Sequence, residues 1–329
     1  MTAKNGPGSP FVVRFWGTRG TLPVAVTARQ VRAKIANALR VAQGQYFRSD
    51  AEAYRFIDEE LDFAAAATFG GATSCVELDT ALDAFFICDM GSGLQEFGRD
   101  ASGRRRDRPK KYNFFLSHMH WDHIMGFPSF VPASDDQTQI VIHSCHADAE
   151  EGLRRQQDEI SFPGPFNFWD ARISFVTLEP GKEIEVDGLR VRPMRQHHPH
   201  ESFGYRFADP SGRIVVYSTD SEHRLDDMDA EDAFIGFFRD ADLVICDTMY
   251  SLAESNSTKE EWGHSSSPVA IDLCHQAGAR RLALFHHDPF RDDEEIQRMF
   301  EDSLRYEKLT RSGDPLEVLC AYDGLEIAL

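Results

Sequence analysis

Apolar residues in this chain recur in short runs instead of long stripes. Runs at 11–17 (FVVRFWG), 74–80 (SCVELDT), 84–90 (AFFICDM), 112–118 (YNFFLSH), 139–145 (QIVIHSC), 172–178 (RISFVTL), 184–194, 204–219, 243–247 (LVICD), 281–286 (RLALFH) and 316–329 are rich in β-branched and aromatic residues and bounded by turn residues. They predict strands, the one at 204–219 broken by Pro210-Ser211-Gly212. Helices are predicted between them. The stretch SSPVAIDLCHQAG has Ser267 as cap, Pro268 in the first turn and Gly278 as its stop; DDEEIQRMFEDSLRY opens on acids that suit a helix N-terminus. Sheets packed face to face with helices outside fit this order.

Residues 27–68 break the rhythm. Two capping boxes, Thr27 with Gln30 and Ser49 with Glu52, open two helices. Val31, Ile35 and Leu39 line one face of the first; Tyr54, Ile57, Leu61 and Ala64 line one face of the second. This helical hairpin reads as an insertion between strands: a surface element packed on the core, a lid, or a dimerisation element.

Composition limits the function classes. The 329 residues are 42% hydrophobic and 27% charged, as in ordinary globular chains, and residues 1–329 are expected to form one domain that includes the insertion. No apolar run approaches the roughly 20 residues that span a bilayer, and the N-terminus has no apolar signal region, so the expected location is the cytoplasm with no membrane partner. The six cysteines form no CxxC pair and read as buried reduced thiols. A formal charge of −19 argues against a polymeric nucleic acid as partner. The basic run at 103–111 reads as a solvated connection.

The chemistry concentrates at SHMHWDHIMGFP. His118, His120, Asp122 and His123 follow a predicted strand directly, four ligand-type residues in six positions. Extended backbone puts His118 and His120 on one side, while Asp122 and His123 fall in the turn, a division that suits two metal centres. Imidazole nitrogen and carboxylate oxygen favour zinc and also accept manganese or iron.

This pattern resembles the signature of the metallo-β-lactamase fold hydrolases. The resemblance implies an α/β fold, an αββα sandwich of two mixed β-sheets with helices outside, and a binuclear site at one edge. It further resembles the branch of phosphoribosyl cyclic phosphodiesterases and tRNA 3′-processing endonucleases. In RQHHPHESFGYRF, the His-Pro followed by Gly-Tyr then selects His198 over His197 and His200. IVVYSTDSEH supplies Asp220 as a metal bridge, and LALFHHDP supplies His286, with His287 as the neighbouring alternative. The implied sites are His118, His120 and His198 for one divalent ion and Asp122, His123 and His286 for a second, with a bridging hydroxide as nucleophile.

In WGHSSSPVA, His264 matches the branch's Gly-His-Ser motif, whose histidine contacts phosphate and protonates the leaving oxygen. Asp122, Asp220 and His264 are the expected catalytic residues. His264, Ser265, Phe127 and Trp169 are the expected substrate contacts. Thr73 and Ser74 are candidates for orienting ligands, and Asp89 in DMGSG for buttressing a metal histidine. The aromatic loop at 161–170 is a pocket cap or a dimer contact, so a homodimer through that loop or through the helical insertion is expected. The function implied is hydrolysis of a small phosphodiester, with cyclic ones included in that class. An acyl-bond hydrolase (lactonase, thioesterase or β-lactamase) and a non-catalytic metal-containing sensor are the alternatives.

Overall fold

A computed structural model describes residues 11–104, 110–160, 162–166, 169–223 and 228–329. One sheet contains β1 (Val12–Gly17), β2 (Cys75–Asp79), β3 (Phe85–Cys88), β4 (Lys111–Leu116), β5 (Gln139–Ser144), β6 (Arg172–Thr177) and β14 (Glu326–Ala328), in the order β14-β1-β2-β3-β4-β5-β6. The other contains β7 (Ile184–Val186), β8 (Leu189–Gln196), β9 (Ser202–Ala208), β10 (Ile214–Ser218), β11 (Leu243–Asp247), β12 (Arg281–Phe285) and β13 (Glu317–Cys320), in reverse spatial order from β13 to β7. Both sheets are mixed. β3 to β6 run parallel to one another, as do β10 to β13; the strands at the other ends pair antiparallel.

Strands that are apolar on both faces dictate four layers. Phe86 and Cys88 point into a core between the sheets, where they meet Phe115, Tyr205, Val215, Tyr217, Ile245 and Phe285. Their neighbours Phe85 and Ile87 point outward to Phe97, Tyr112, Phe114 and Leu153. Val216, Val244 and Cys246 do the same on the second sheet, beneath Phe234, Phe238 and Ile271. The outer layers are built from α1 (Ala28–Val41), α2 (Asp50–Glu60), α3 (Phe63–Ala66), α4 (Leu94–Arg104), α5 (Trp121–Ile124), α6 (Ala149–Gln156), α7 (Met228–Phe238), α8 (Leu252–Ser255), α9 (Ser267–Ala277) and α10 (Asp293–Thr310).

Several sequence expectations shift. The run at 316–329 splits at Asp323-Gly324: β13 stays in the second sheet, while β14 crosses to pair with β1. The run at 184–194 is a hairpin, because Asp187 and Gly188 both take positive φ. The cap of α9 is Ser266, one residue earlier than expected, which leaves Ser267 inside the helix. In the insertion, Thr27 and Gln30 form the full capping box, whereas the Glu52 carboxylate takes the N–H of Arg48 instead of that of Ser49. Residues 105–109 of the basic run lie outside the described residues; Arg104 and Lys111 at its ends pair with Glu77 and Asp187. Among the described residues, no helix is long and apolar enough to cross a membrane.

Candidate metal centre

The ends of β3, β4, β8, β10, β11 and β12 deliver the candidate residues to one edge of the sandwich. His118, His120, His198 and Asp220 offer ligand atoms all within 4.8 Å of one another, and so do Asp122, His123, Asp220 and His286. Asp220 belongs to both groups. Its Oδ1 lies 3.1 Å from Nε2 of His123 and 3.1 Å from Nε2 of His286. Its Oδ2 lies 3.7 Å from Nε2 of His118 and 3.7 Å from Nε2 of His198. One carboxylate therefore faces each group with a different oxygen. His286, not His287, is the inward histidine: His287 gives its Nε2 to the carbonyl of Ala321 at 2.7 Å.

The backbone is strained where it delivers these groups. Thr21, Asp89, Asp220 and His286 all have φ between 49° and 63°, a region that non-glycine residues rarely occupy. Thr21 uses this turn to aim its N–H at Asp122 Oδ2, 2.7 Å away. Two glycines make room. A Cβ on Gly20 would stand 2.4 Å from the His286 ring, and one on Gly263 would stand 2.2 Å from His198 Nδ1.

Hydrogen bonds behind the ligands orient the rings. Asp89, fully buried at the end of β3, accepts from the N–H and hydroxyl of Ser117, from the Tyr217 hydroxyl, and from His123 Nδ1 at 2.7 Å. His198 Nδ1 donates to the carbonyl of Gly263 at 2.9 Å. Each contact leaves Nε2 as the nitrogen that faces the centre. There, Nε2 of His118 and Nε2 of His123 are buried with no hydrogen-bond partner, and His198 Nε2 stands 3.1 Å from His120 Nδ1. Buried lone pairs aimed at one another and at carboxylates are costly unless a cation lies among them. The donor set therefore fits divalent metal ions, with imidazole and carboxylate ligands and a supporting layer of hydrogen bonds.

The electrostatics follow from burial and charge. Burial pushes His118 well below its ordinary range and takes His120 down to about 4. His123 goes the other way: burial opposes its charge, but Asp220, Asp122 and Asp89 together raise it. Burial would raise Asp122 and Asp220, yet the facing histidines hold both well below the carboxylate range.

His264 lies beside both groups, its ring centroid 5.2 Å from that of His198 and 5.2 Å from that of His286. Its Nδ1 contacts Asp247 Oδ2 at 2.6 Å. Burial works against its charge, but the Asp247 carboxylate, helped by Asp220 and Asp122, raises it to about 9. Sequence reasoning missed Asp247, a fully buried residue at the end of β11. Its signal was present: LVICD ends in the same Ile-Cys-Asp as FFICD, which delivers Asp89. Asp247, His264 and His286 also lie within ligand distance of one another, but the short contact to His264 occupies the carboxylate oxygen.

Two expected substrate contacts do not survive. Phe127 is fully buried and packs against Phe114 and Phe166, so it offers no surface to a ligand. The hydroxyl of Ser265 donates to the carbonyl of Ser221 and accepts from the N–H of His223, both within 2.9 Å, and so ties two loops together. Trp169 is half-buried against the outer core and gives its indole N–H to Gln157. Thr73 bonds Ser92 rather than a ligand. Phe168 and the neighbouring residues 161 and 167 of the aromatic loop lie outside the described residues. A cleft of about 570 Å³ opens beside His198, lined by Arg195, His197, Glu201, Glu222 and Glu261 among others.

The family described as the beta-lactamase superfamily domain matches residues 86–287, which hold the whole metal motif and His286. The chain belongs to the beta-lactamase superfamily. Within the superfamily it is a metallo-β-lactamase fold hydrolase. A ribonuclease Z from Thermoplasma acidophilum is 25% identical over 289 residues, covering 74% of this chain and 88% of that protein. The metallo-β-lactamase fold protein YhfI from Bacillus subtilis superposes with a TM-score of 0.63 at 20% identity, covering 98% of this chain and 100% of YhfI. A diphosphatase from the PhnP family superposes with a TM-score of 0.59 at 15% identity, covering 96% of this chain and 97% of that one.

Proposed function

We propose that this superfamily member is a binuclear metal-dependent phosphodiesterase acting on a small phosphodiester, with cyclic ones included in that class. The observation that carries this reading is the Asp247–His264 pair, a buried imidazole held by a carboxylate beside both ligand groups. Phosphodiester cleavage expels an alkoxide, which needs a proton; an imidazolium with its Nδ1 fixed by a carboxylate presents Nε2 for that task. The similarity to a ribonuclease Z, named for cleaving RNA, adds support for phosphorus as the reacting centre.

His118, His120 and His198 would hold one ion and Asp122, His123 and His286 the other, with Asp220 shared; zinc suits these ligands best, and manganese or iron also fit. Bound there, the ions would supply Lewis acidity toward phosphoryl oxygens and an ionised water at neutral pH. The chain's own residues do the remainder. Asp89 and the Gly263 carbonyl keep the rings of His123 and His198 in the ligating tautomer. Thr21 holds the Asp122 carboxylate in position. Asp247 orients His264 and stabilises its positive form. The net charge of −19 disfavours a long polyanion as substrate. Six free cysteines, most of them buried, suit a reducing cytoplasm.

The test is hydrolysis of bis-(p-nitrophenyl) phosphate and of cyclic ribose phosphates by metal-loaded protein, run beside nitrocefin, lactones and thioesters. Chelator-sensitive phosphodiester turnover is expected. A metal-loaded protein that cleaves only the acyl substrates would replace this reading.

A further inference from the structure

The helical insertion is inverted relative to an ordinary surface helix. The α1 residues that face the body are Gln30, Lys34, Asn37 and Ala38, and Lys34 Nζ anchors the helix to the Ala67 carbonyl at 2.8 Å and to Asp293 at 2.7 Å. The apolar stripe points away from the protein: Val31, Ile35 and Leu39 are 45%, 56% and 69% exposed. Tyr46 in the connection and Tyr54 on α2 are exposed as well. A helix anchored through its polar face and exposing its aliphatic face lacks its packing partner.

The charges identify the partner. Residues 27–49 carry Arg29, Arg32, Lys34, Arg40 and Arg48 and no acid. Residues 50–62 carry Asp50, Glu52, Asp58, Glu59, Glu60 and Asp62, with Arg55 as their only cation. The hairpin is thus neutral as a whole, with six cations and six acids, but split into a basic half and an acidic half.

We propose that this face joins two copies of the chain about a two-fold axis, with α1 of one copy packed against α2 of the other. A two-fold axis makes each contact twice with the partners exchanged, so one segment must carry both complementary halves, and this one does. An anionic membrane or a nucleic acid would select net positive charge, which the hairpin as a whole lacks. The pairing also bears on the metal centre. The insertion leaves the body just after Thr21, which holds Asp122, and returns through Gly71, whose carbonyl binds the N–H of Val24. Dimer formation would brace that loop. The proposal does not depend on the hydrolytic reading.

Sedimentation velocity of the full metal-loaded chain across a micromolar concentration series tests it. The wild type is expected at twice the chain mass. The double substitution Ile35→Asp with Leu39→Asp should weaken the dimer roughly tenfold or more, with far-UV circular dichroism and metal content unchanged. Arg29→Glu with Arg32→Glu, and separately Asp58→Lys with Glu59→Lys, should each give monomers that pair when mixed. A wild type that stays monomeric throughout, including one that binds phosphatidylserine vesicles or RNA instead, overturns the proposal. So does a dimer indifferent to the Ile35 and Leu39 substitutions, or a mixture of the charge-reversed variants that remains monomeric.

Discussion

Asp247 Oδ2 lies 2.6 Å from Nδ1 of His264, and the carboxylate is wholly buried. A charge pair so placed fixes both the direction of the ring and its protonation. Burial alone would discharge the imidazole; Asp247, with Asp220 and Asp122 behind it, outweighs burial and raises it to about 9. With Nδ1 held by Asp247, Nε2 is the nitrogen of His264 left to deliver a proton.

Asp247→Asn keeps the shape and removes the charge. The basic limb of the phosphodiester pH–rate profile should move to lower pH than in the wild type, because the largest charge that opposes burial is then gone. Metal content should stay unchanged. A profile with the same basic limb in both proteins would mean that His264 does not carry the essential proton.

His264→Ala should slow cleavage of substrates with poor alkoxide leaving groups by roughly 10²–10⁴-fold. p-Nitrophenyl esters, whose leaving group needs little protonation, should suffer much less. Comparing kcat for the two substrate types in the same metal-loaded preparation checks this. Equal losses on both would assign His264 to binding.

Gly20→Ala and Gly263→Ala should each weaken metal binding by about 10–100-fold, because the new methyl group displaces His286 or His198. At Gly263 a φ of +83° adds backbone strain. Competition against a graded series of chelators measures the loss. An unaltered affinity would show that these rings do not bind metal where the structure places them.

Acid should destabilise the fold partly through His143, far from the metal centre. Burial lowers it to about 4, and the ring stacks on Phe115 with Nε2 against Asn113. The unfolded chain takes up a proton near 6.5 that the folded chain refuses. Stability from this group is thus complete above about 6.5, falls as pH drops toward about 4, and changes no further below that. The full loss is roughly 3 kcal/mol. His143→Gln should flatten the pH dependence of unfolding of metal-free protein within that window. An identical dependence in both proteins would remove His143 as a source.

The four-layer fold was legible because strands with apolar residues on both faces leave few alternatives. The first four metal candidates were legible because their signal is local spacing. Asp247 was not singled out, since a lone acid at a strand end has no spacing, although the repeated Ile-Cys-Asp carries it. Phe127 and Ser265 misled for a physical reason: adjacency to a motif does not say which way a side chain points. Phe127 turns into the outer core, and the Ser265 hydroxyl is consumed by backbone partners. Val31, Ile35 and Leu39 show the converse. Their periodicity identified the face, but only the anchoring of Lys34 shows that this face is turned to solvent.

In the proposed function, His118, His120, His198, Asp122, His123, His286 and Asp220 together hold two ions that cleave phosphodiesters. The most direct measurement is the rate of bis-(p-nitrophenyl) phosphate hydrolysis as metal-free protein is titrated with zinc or manganese. The rate should rise from zero to a plateau at two equivalents per chain, with Asp220→Asn failing to reach it. Turnover by the metal-free protein, or none at saturation with either metal, would contradict the proposed function.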